Sequence, residues 1–290
     1  MSGYFHARFK LRKLIELIIE GSIYACIGYF IACILGYKDI SFLAFCRRVI
    51  TGWAMWFIVA YITIYCFSNY IVKFLDGLEN KELKILLLIY GILNTVLGFL
   101  MESDTYGGPY TVVAMLFVYL LGYSIKRFNF SFKLKNKSIN IFVYLGCAIL
   151  IGVSGGLLIY FNQQSLARKM MTSYQSPLLI VSGCALFMCF ANDIKLKSSK
   201  AISKIATHVL ACYLLSDSVD VHDFVWLPLT NAAAGGMSWY LLLLCLIGYV
   251  IGIMIACILI DILRKLIYSC IEKFILNQIK KRRKVNNSGT

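Results

Sequence analysis

Two carboxylates, Glu16 and Glu20, stand four residues apart at the start of a long apolar run, directly after a basic arm of Arg8, Lys10, Arg12 and Lys13. On a helix this spacing puts both acids on one face. There they either pair with Arg12 and Lys13 as i, i+4 partners or help line a polar cavity for a substrate. Glu16 is near enough to the helix start to reach water, which suits a structural pair; Glu20 lies deeper and keeps both readings. The histidines are His6 in the basic arm, His208 in a short apolar run, and His222 among Asp217, Asp220 and Asp223. Ser216, Asp217 and His222 are the residue types of nucleophilic catalysis, but their spacing is diagnostic neither of a triad nor of a metal site. No metal is expected. The 11 cysteines include no CxxC and sit mostly in apolar runs (Cys26, Cys33, Cys147, Cys184, Cys245, Cys257), where they act as small hydrophobes rather than as a disulfide framework.

The elements that must carry these groups follow from composition. Hydrophobic residues make up 60% of the 290 and charged residues 15%, with a mean hydropathy of +0.77. A soluble domain carries about a quarter charged residues. Here the charges cluster between apolar runs close to the roughly 20 residues that cross a bilayer. The runs fall at 14–35, 49–70, 85–101, 110–125, 140–161, 177–191, 202–216 and 239–260. The expected fold is therefore an all-α, polytopic transmembrane helix bundle of about eight spans. The sixth and seventh runs are short and either extend into neighbouring loops or enter the membrane partway. Asn94 and Ser68–Asn69 are candidates for hydrogen bonds between helices, while Gly152–Gly156 ("GVSGG") and the Gly248/Gly252 pair supply small residues for close helix contact.

Lysine and arginine set the orientation. With the N-terminus inside, 24 of the 29 basic residues fall on one side and five (Lys38, Arg47, Arg48, Arg168 and Lys169) on the other. Both termini are thus expected in the cytoplasm, with acidic loops at Glu102–Asp104 and Asp217–Asp223 facing outward. The net charge of +15 follows helix ends, and no aromatic-interleaved basic groove stands out, so nucleic acid is not an expected partner. Residues 1–260 read as the membrane domain. Residues 261–290 read as a basic amphipathic cytoplasmic tail that lies on membrane lipids, with Leu263, Ile267, Ile271, Phe274, Ile275 and Ile279 as its apolar stripe.

Several stretches, in order, resemble the bacterial acyltransferase-3 family of integral-membrane O-acyltransferases, in particular its capsule- or exopolysaccharide-modifying members. "SGYF" with its basic loop resembles the end of the family's second helix. "WFIVAYITIYCFSNYI" (Trp56–Ile71) resembles its "WF-x-x-x-Y-x-x-x-Y-x-x-S" helix, and "LFVYLLGYSIKRF" (Leu116–Phe128) its "F-x-Y-L-x-G" helix end. Tyr174–Asp217 resembles the segment from "SP" to "YLIH", with Ser216 where the family has His, and "IDILRKLIYSCIEK" its closing "ID-x-x-R-x-x-x-F" tail. The resemblance implies a multi-pass protein of a bacterial cell membrane that moves an acyl group from acyl-CoA, such as acetyl-CoA, to a hydroxyl of a cell-surface glycan or its lipid-linked precursor. No bound cofactor is implied, and polysaccharide-synthesis proteins are possible partners.

By the same resemblance the chain lacks the family's first two helices, which carry the histidine of acyl transfer, so little or no transfer is expected of it. Arg8, Arg12 and Lys13 are then the candidates for meeting the donor's phosphates. Glu20 and Tyr24 are expected to line a polar groove beside the first helix, and Ser216, Asp217 and His222 are the acceptor-side candidates. No catalytic residue is assigned. The competing reading is a non-catalytic membrane protein: a transporter of a glycan intermediate, or a scaffold for polysaccharide synthesis.

Overall fold

A computed structural model describes residues 2–6, 8–101, 103–104, 106–134, 137–194 and 199–287; at 2, 134, 137, 193, 201, 234, 239 and 270–287 it describes the backbone alone. Glu102 of the predicted acidic loop, and Lys135, Lys195 and Lys197 of the predicted basic side, lie outside the described residues. So do the side chains of Ile271, Phe274, Ile275 and Ile279 of the predicted tail stripe.

The chain is helical. A 3-10 turn (Ser2–Phe5) precedes α1 (Leu11–Ile34), α2 (Phe42–Thr51), α3 (Trp56–Gly77), α4 (Asn80–Leu93) and α5 (Val112–Phe128). A two-residue antiparallel pair, Lys133–Leu134 with Lys137–Ser138, leads to α6 (Asn140–Tyr160), α7 (Gln164–Thr172) and α8 (Pro177–Met188). Then follow α9 (Lys200–Ala206), α10 (Val209–Ser216), α11 (His222–Ala234) and α12 (Trp239–Asn287). Among the described residues, six helical segments are long and apolar enough to cross a membrane: Leu11–Ile34, Phe42–Gly77, Asn80–Leu100, Asn140–Tyr160, Gln164–Asn192 and Tyr240–Ser269. This is a multi-pass membrane architecture. Of the eight predicted runs, 110–125 becomes α5, which at 17 residues rises about 25 Å. The run 202–216 bends at Thr207–His208 into α9 and α10.

The residues group into two compact units, 1–17 with 54–197 and 18–53 with 198–290. In the first, α5 packs on α3 and α4 through Leu75, Leu83, Leu120 and Tyr123. Thr111 caps the start of α5, and Asn129 ends it in the left-handed conformation (φ 47°). Arg127 near that end donates to Leu75 O (2.6 Å) and Leu78 O, satisfying carbonyls that the last turn of α3 leaves open. Gly155 of the "GVSGG" run lets α6 meet α7, since a Cβ there would lie 2.1 Å from Met171 Cε; no atom stands within 4 Å of the same position on Gly152, Gly156, Gly248 or Gly252.

Among the described residues, the fully buried polar groups of this first unit are neutral. Asn94 opens a π-helical extension of α4 (Asn94–Leu100) and donates to Gln175 O at 3.4 Å. Gln175 Nε2 donates to Gly107 O and Gly108 O. Ser68 instead bonds within its own helix, to Tyr65 O, and Asn69 Oδ1 accepts from Phe9 N.

In the second unit α12 packs on α10 and α11. Its outer face stays apolar and exposed, for example at Leu244 and Ile255, as expected of a helix solvated by lipid. Two of its charged groups, Asp261 and Arg264, are turned inward.

Candidate functional site

The charged centre of the second unit is built around Asp261. This acid follows an apolar run in α12, where an unpartnered carboxylate would cost several kcal/mol. Its side chain is 1% exposed, so the fold must supply partners. Two come from the next turn of the same helix: Arg264, at i+3, reaches Oδ1 at 2.9 Å, and Lys265, at i+4, reaches Oδ2 at 2.8 Å. Tyr24 of α1 donates its hydroxyl to Oδ1. His208 places Nδ1 2.5 Å from Oδ2. Arg264 also binds Glu20 at 2.8 Å, and its guanidinium lies over the Tyr24 ring, 4.9 Å from the centroid.

Local sequence explains the convergence. Glu20 and Tyr24 are one turn apart on α1, so one face of that helix presents an acid to Arg264 and a hydroxyl to Asp261. His208 sits at the N-cap of α10, where the bend from α9 aims its ring at α12. Lys265 fixes that bend by donating to Thr207 O at 3.3 Å. With the imidazole neutral, Glu20 and Asp261 balance Arg264 and Lys265, so the cluster carries no net charge.

This geometry orients an imidazole. Lys265 Nζ lies 3.4 Å from His208 Nδ1, but the far shorter contact to a carboxylate assigns the proton to Nδ1, donated to Asp261. The Nε2 lone pair is then free, and among the described residues it has no hydrogen-bond partner. An imidazole held this way by a carboxylate is suited to taking a proton from a hydroxyl.

A second buried carboxylate, Asp220, joins the stretch after α1 to the stretch between α10 and α11. Arg48 grips it with Nε on Oδ2 (2.6 Å) and Nη2 on Oδ1 (2.7 Å), and Lys38 also binds Oδ1. Burial pushes the Asp220 carboxyl up, but the bonds from Arg48 and Lys38 outweigh it and hold the group below the usual carboxylate range.

The predicted site residues divide. Glu20 and Tyr24 both belong to the Asp261 network, in which Tyr24 is fully buried against Asp261. Arg8, Arg12 and Lys13 are exposed and belong to the first unit, where Arg12 pairs with Glu16 at 2.8 Å. Ser216 ends α10, Asp217 caps it through its backbone, and His222 opens α11 with Nδ1 3.2 Å from Asp223. No hydrogen bond among the described residues joins Ser216, Asp217 and His222. In that loop the residue that gathers charge is Asp220.

Sequence reasoning passed over His208, Asp261, Arg264 and Lys265 as a group. The available signal was the acid itself: Asp261 closes an apolar run, and such a residue must find partners. No family model, no curated protein and no solved structure matches the chain.

Proposed function

We propose that this chain is a multi-pass membrane acyltransferase of a bacterial cell membrane, moving an acyl group from acyl-CoA to a hydroxyl of a surface glycan or lipid-linked saccharide. The observation that carries the reading is the gathering of Glu20, Tyr24 and His208 around Asp261 and Arg264, the acid and base of the "IDILRK" stretch on which the family resemblance rests. In this reading, which departs from the sequence expectation of little or no transfer, His208 supplies the base: its Nε2 takes the proton of the acceptor hydroxyl as its oxygen attacks the thioester carbonyl. Asp261 fixes the ring and stabilises the imidazolium that forms. The thiolate of coenzyme A leaves and recovers the proton. Arg264 and Lys265 hold Asp261, and Glu20 holds Arg264. By the family resemblance alone, Arg8, Arg12 and Lys13 remain the candidates for the donor's phosphates.

The experiment is coenzyme A release from acetyl-CoA by the purified full chain in lipid nanodiscs, with and without glycan acceptor. Acceptor-dependent release that falls about 10²-fold or more in His208→Gln is the expected result. Absence of release together with absence of acetyl-CoA binding would overturn the reading.

The same network supports a second reading. Titratable groups buried among apolar helices are also what proton-coupled transporters use, and a glycan-intermediate transporter would place His208 on a proton path. Acceptor-driven proton uptake into liposomes without coenzyme A release would favour it.

We also propose eight spans, with α5 and the α9–α10 pair completing the count and both termini cytoplasmic, on the strength of the 24-to-5 split of basic residues. Cysteine labels at positions 133 and 220 are then expected on opposite sides of the membrane, and labelling from one side would sink the arrangement.

A further inference from the structure

The end of α1, the stretch after it and α2 line an open pocket of about 450 Å³, formed by Tyr29, Lys38, Asp39, Ser41, Arg47 and Arg48 among others. Its hydrogen-bonding capacity is lopsided. Arg48 commits Nε and Nη2 to Asp220, which leaves the protons of Nη1 unengaged, and Lys38 commits its ammonium to the same carboxylate with protons to spare. Arg47, exposed on the wall, makes no side-chain hydrogen bond or ion pair among the described residues. The hydroxyl acceptors are already used, while the Asp39 carboxylate, also on the wall, makes no side-chain hydrogen bond or ion pair among the described residues. The Tyr29 hydroxyl donates to Asp39 O and receives Ser41 N, and Ser41 Oγ receives Ala44 N as the cap of α2.

Three cations here face two carboxylates, Asp39 and Asp220, and the N-terminal end of the ten-residue α2 adds the positive pole of its dipole. Asp220 also does something a solvated acid could not. Buried and shared by Lys38 and Arg48, it fixes two flexible cations in place before any ligand arrives, which lowers the ordering cost of binding. Lys38, Arg47 and Arg48 are moreover three of the five basic residues on the sparse side of the charge count, where topology alone gives no reason to keep them.

We propose that this cavity binds a phosphoryl group, with Arg47 as its free fork and Lys38 and Arg48 as its fixed donors. The volume suits a phosphate diester or a sugar phosphate rather than a bare chain end. The proposal does not depend on acyl transfer. The phosphoryl group is either that of a membrane lipid or that of a soluble phosphate compound, and the test separates the two.

The full chain is placed in nanodiscs of phosphatidylcholine alone and titrated with inorganic pyrophosphate. In parallel, retention of phosphatidylglycerol on the purified protein is read by native mass spectrometry. Arg47→Gln, Arg47→Lys and, as a control on the same sparse side, Arg168→Gln are compared with wild type. Saturable pyrophosphate binding that Arg47→Gln weakens about tenfold or more identifies a soluble phosphate site. Loss of retained phosphatidylglycerol in Arg47→Gln, without pyrophosphate binding, identifies a lipid headgroup site. In either case Arg47→Lys is intermediate, because it keeps the charge but not the fork, and Arg168→Gln has no effect. Equal behaviour of wild type and Arg47→Gln in both arms overturns the proposal.

Discussion

Among the described residues, Asp261 and Asp220 are the two buried carboxylates of the second unit, each with a side chain 1% exposed and each met by two cations. Their other partners differ. Among the described residues the side-chain partners of Asp220 are the two cations Lys38 and Arg48. Asp261 adds a tyrosine hydroxyl and an imidazole. A carboxylate held by cations alone is an anchor, and it serves whatever those cations bind. A carboxylate that also holds an imidazole sets that ring's tautomer, and it serves proton transfer. Equal burial and nearly equal charge thus support different chemistry, and the difference lies in the neutral partners.

Removing either acid tests this contrast. Asp261→Asn leaves Arg264 and Lys265 inside the unit without their shared acceptor and frees the His208 ring. We expect a loss of about 3–5 kcal/mol, the range for breaking one side of a buried ion pair. Thermal unfolding in detergent, followed by tryptophan fluorescence, measures it; a midpoint within a degree of wild type would show that the network carries no stability.

Asp220→Asn is expected to cost less, about 1–3 kcal/mol. Lys38 and Arg48 are 36% and 19% exposed, and both regain water when the carboxylate is gone. Its signature is in the pH dependence. The Asp220 carboxyl is held below its ordinary value, so the unfolded chain binds the proton first as pH falls. The stabilisation is complete above an ordinary aspartate pKa of about 3.9 and drains away as pH drops through the lowered value. Unfolding midpoints scanned from neutral to acid pH therefore fall more steeply for wild type than for Asp220→Asn. Parallel curves would mean that Asp220 is not the anchor described here.

How much of this was legible beforehand differs between fold and site. Apolar run length located the membrane helices, because a bilayer demands a fixed length of apolar chain. It did not find the break between α2 and α3 at residues 52–55, or the bend at Thr207–His208, since hydropathy is blind to a backbone turn inside an apolar stretch. Glu20 and Tyr24 were legible as site residues because both lie on one helix, where spacing fixes the face. Their partner Asp261 is 237 residues from Tyr24, and His208 is another 53 from Asp261. No periodicity reports such a pairing. The "IDILRK" stretch was noticed as a motif, yet the acid in it raised a question of partners that only the fold answers. For Ser216, Asp217 and His222 the opposite happened: proximity in sequence suggested a cluster, and the turn between α10 and α11 points a different residue, Asp220, into the unit.

Glu20 is the next smaller test of the Asp261 network. It is 30% exposed and shares Arg264 with Asp261, so Glu20→Gln leaves that guanidinium one charged partner. A cost of about 1 kcal/mol or less is expected. If Glu20 only positions Arg264, kcat falls modestly while KM for the donor holds. A rise in donor KM with unchanged kcat would instead make Glu20 a binding residue.

Arg12 gives the smallest effect on stability and the sharpest split between structure and function. Its pair with Glu16 is exposed on both sides, at 91% and 57%, and has the cation N-terminal to the acid, the weaker order on a helix. Such a pair contributes nothing that an unfolding curve resolves, so Arg12→Gln is expected to unfold at the wild-type midpoint. Stability is therefore not a reason to have arginine there. If the basic arm meets the donor's phosphates, the same substitution weakens coenzyme A binding several-fold and raises donor KM, and it leaves kcat and the Asp261 network untouched. Adding salt should weaken wild-type binding more than it weakens the variant, because one screened contact is already gone. Identical coenzyme A titrations for the two proteins, at low and high salt alike, would remove Arg12 from the donor site and leave it as an ordinary charge at a helix start.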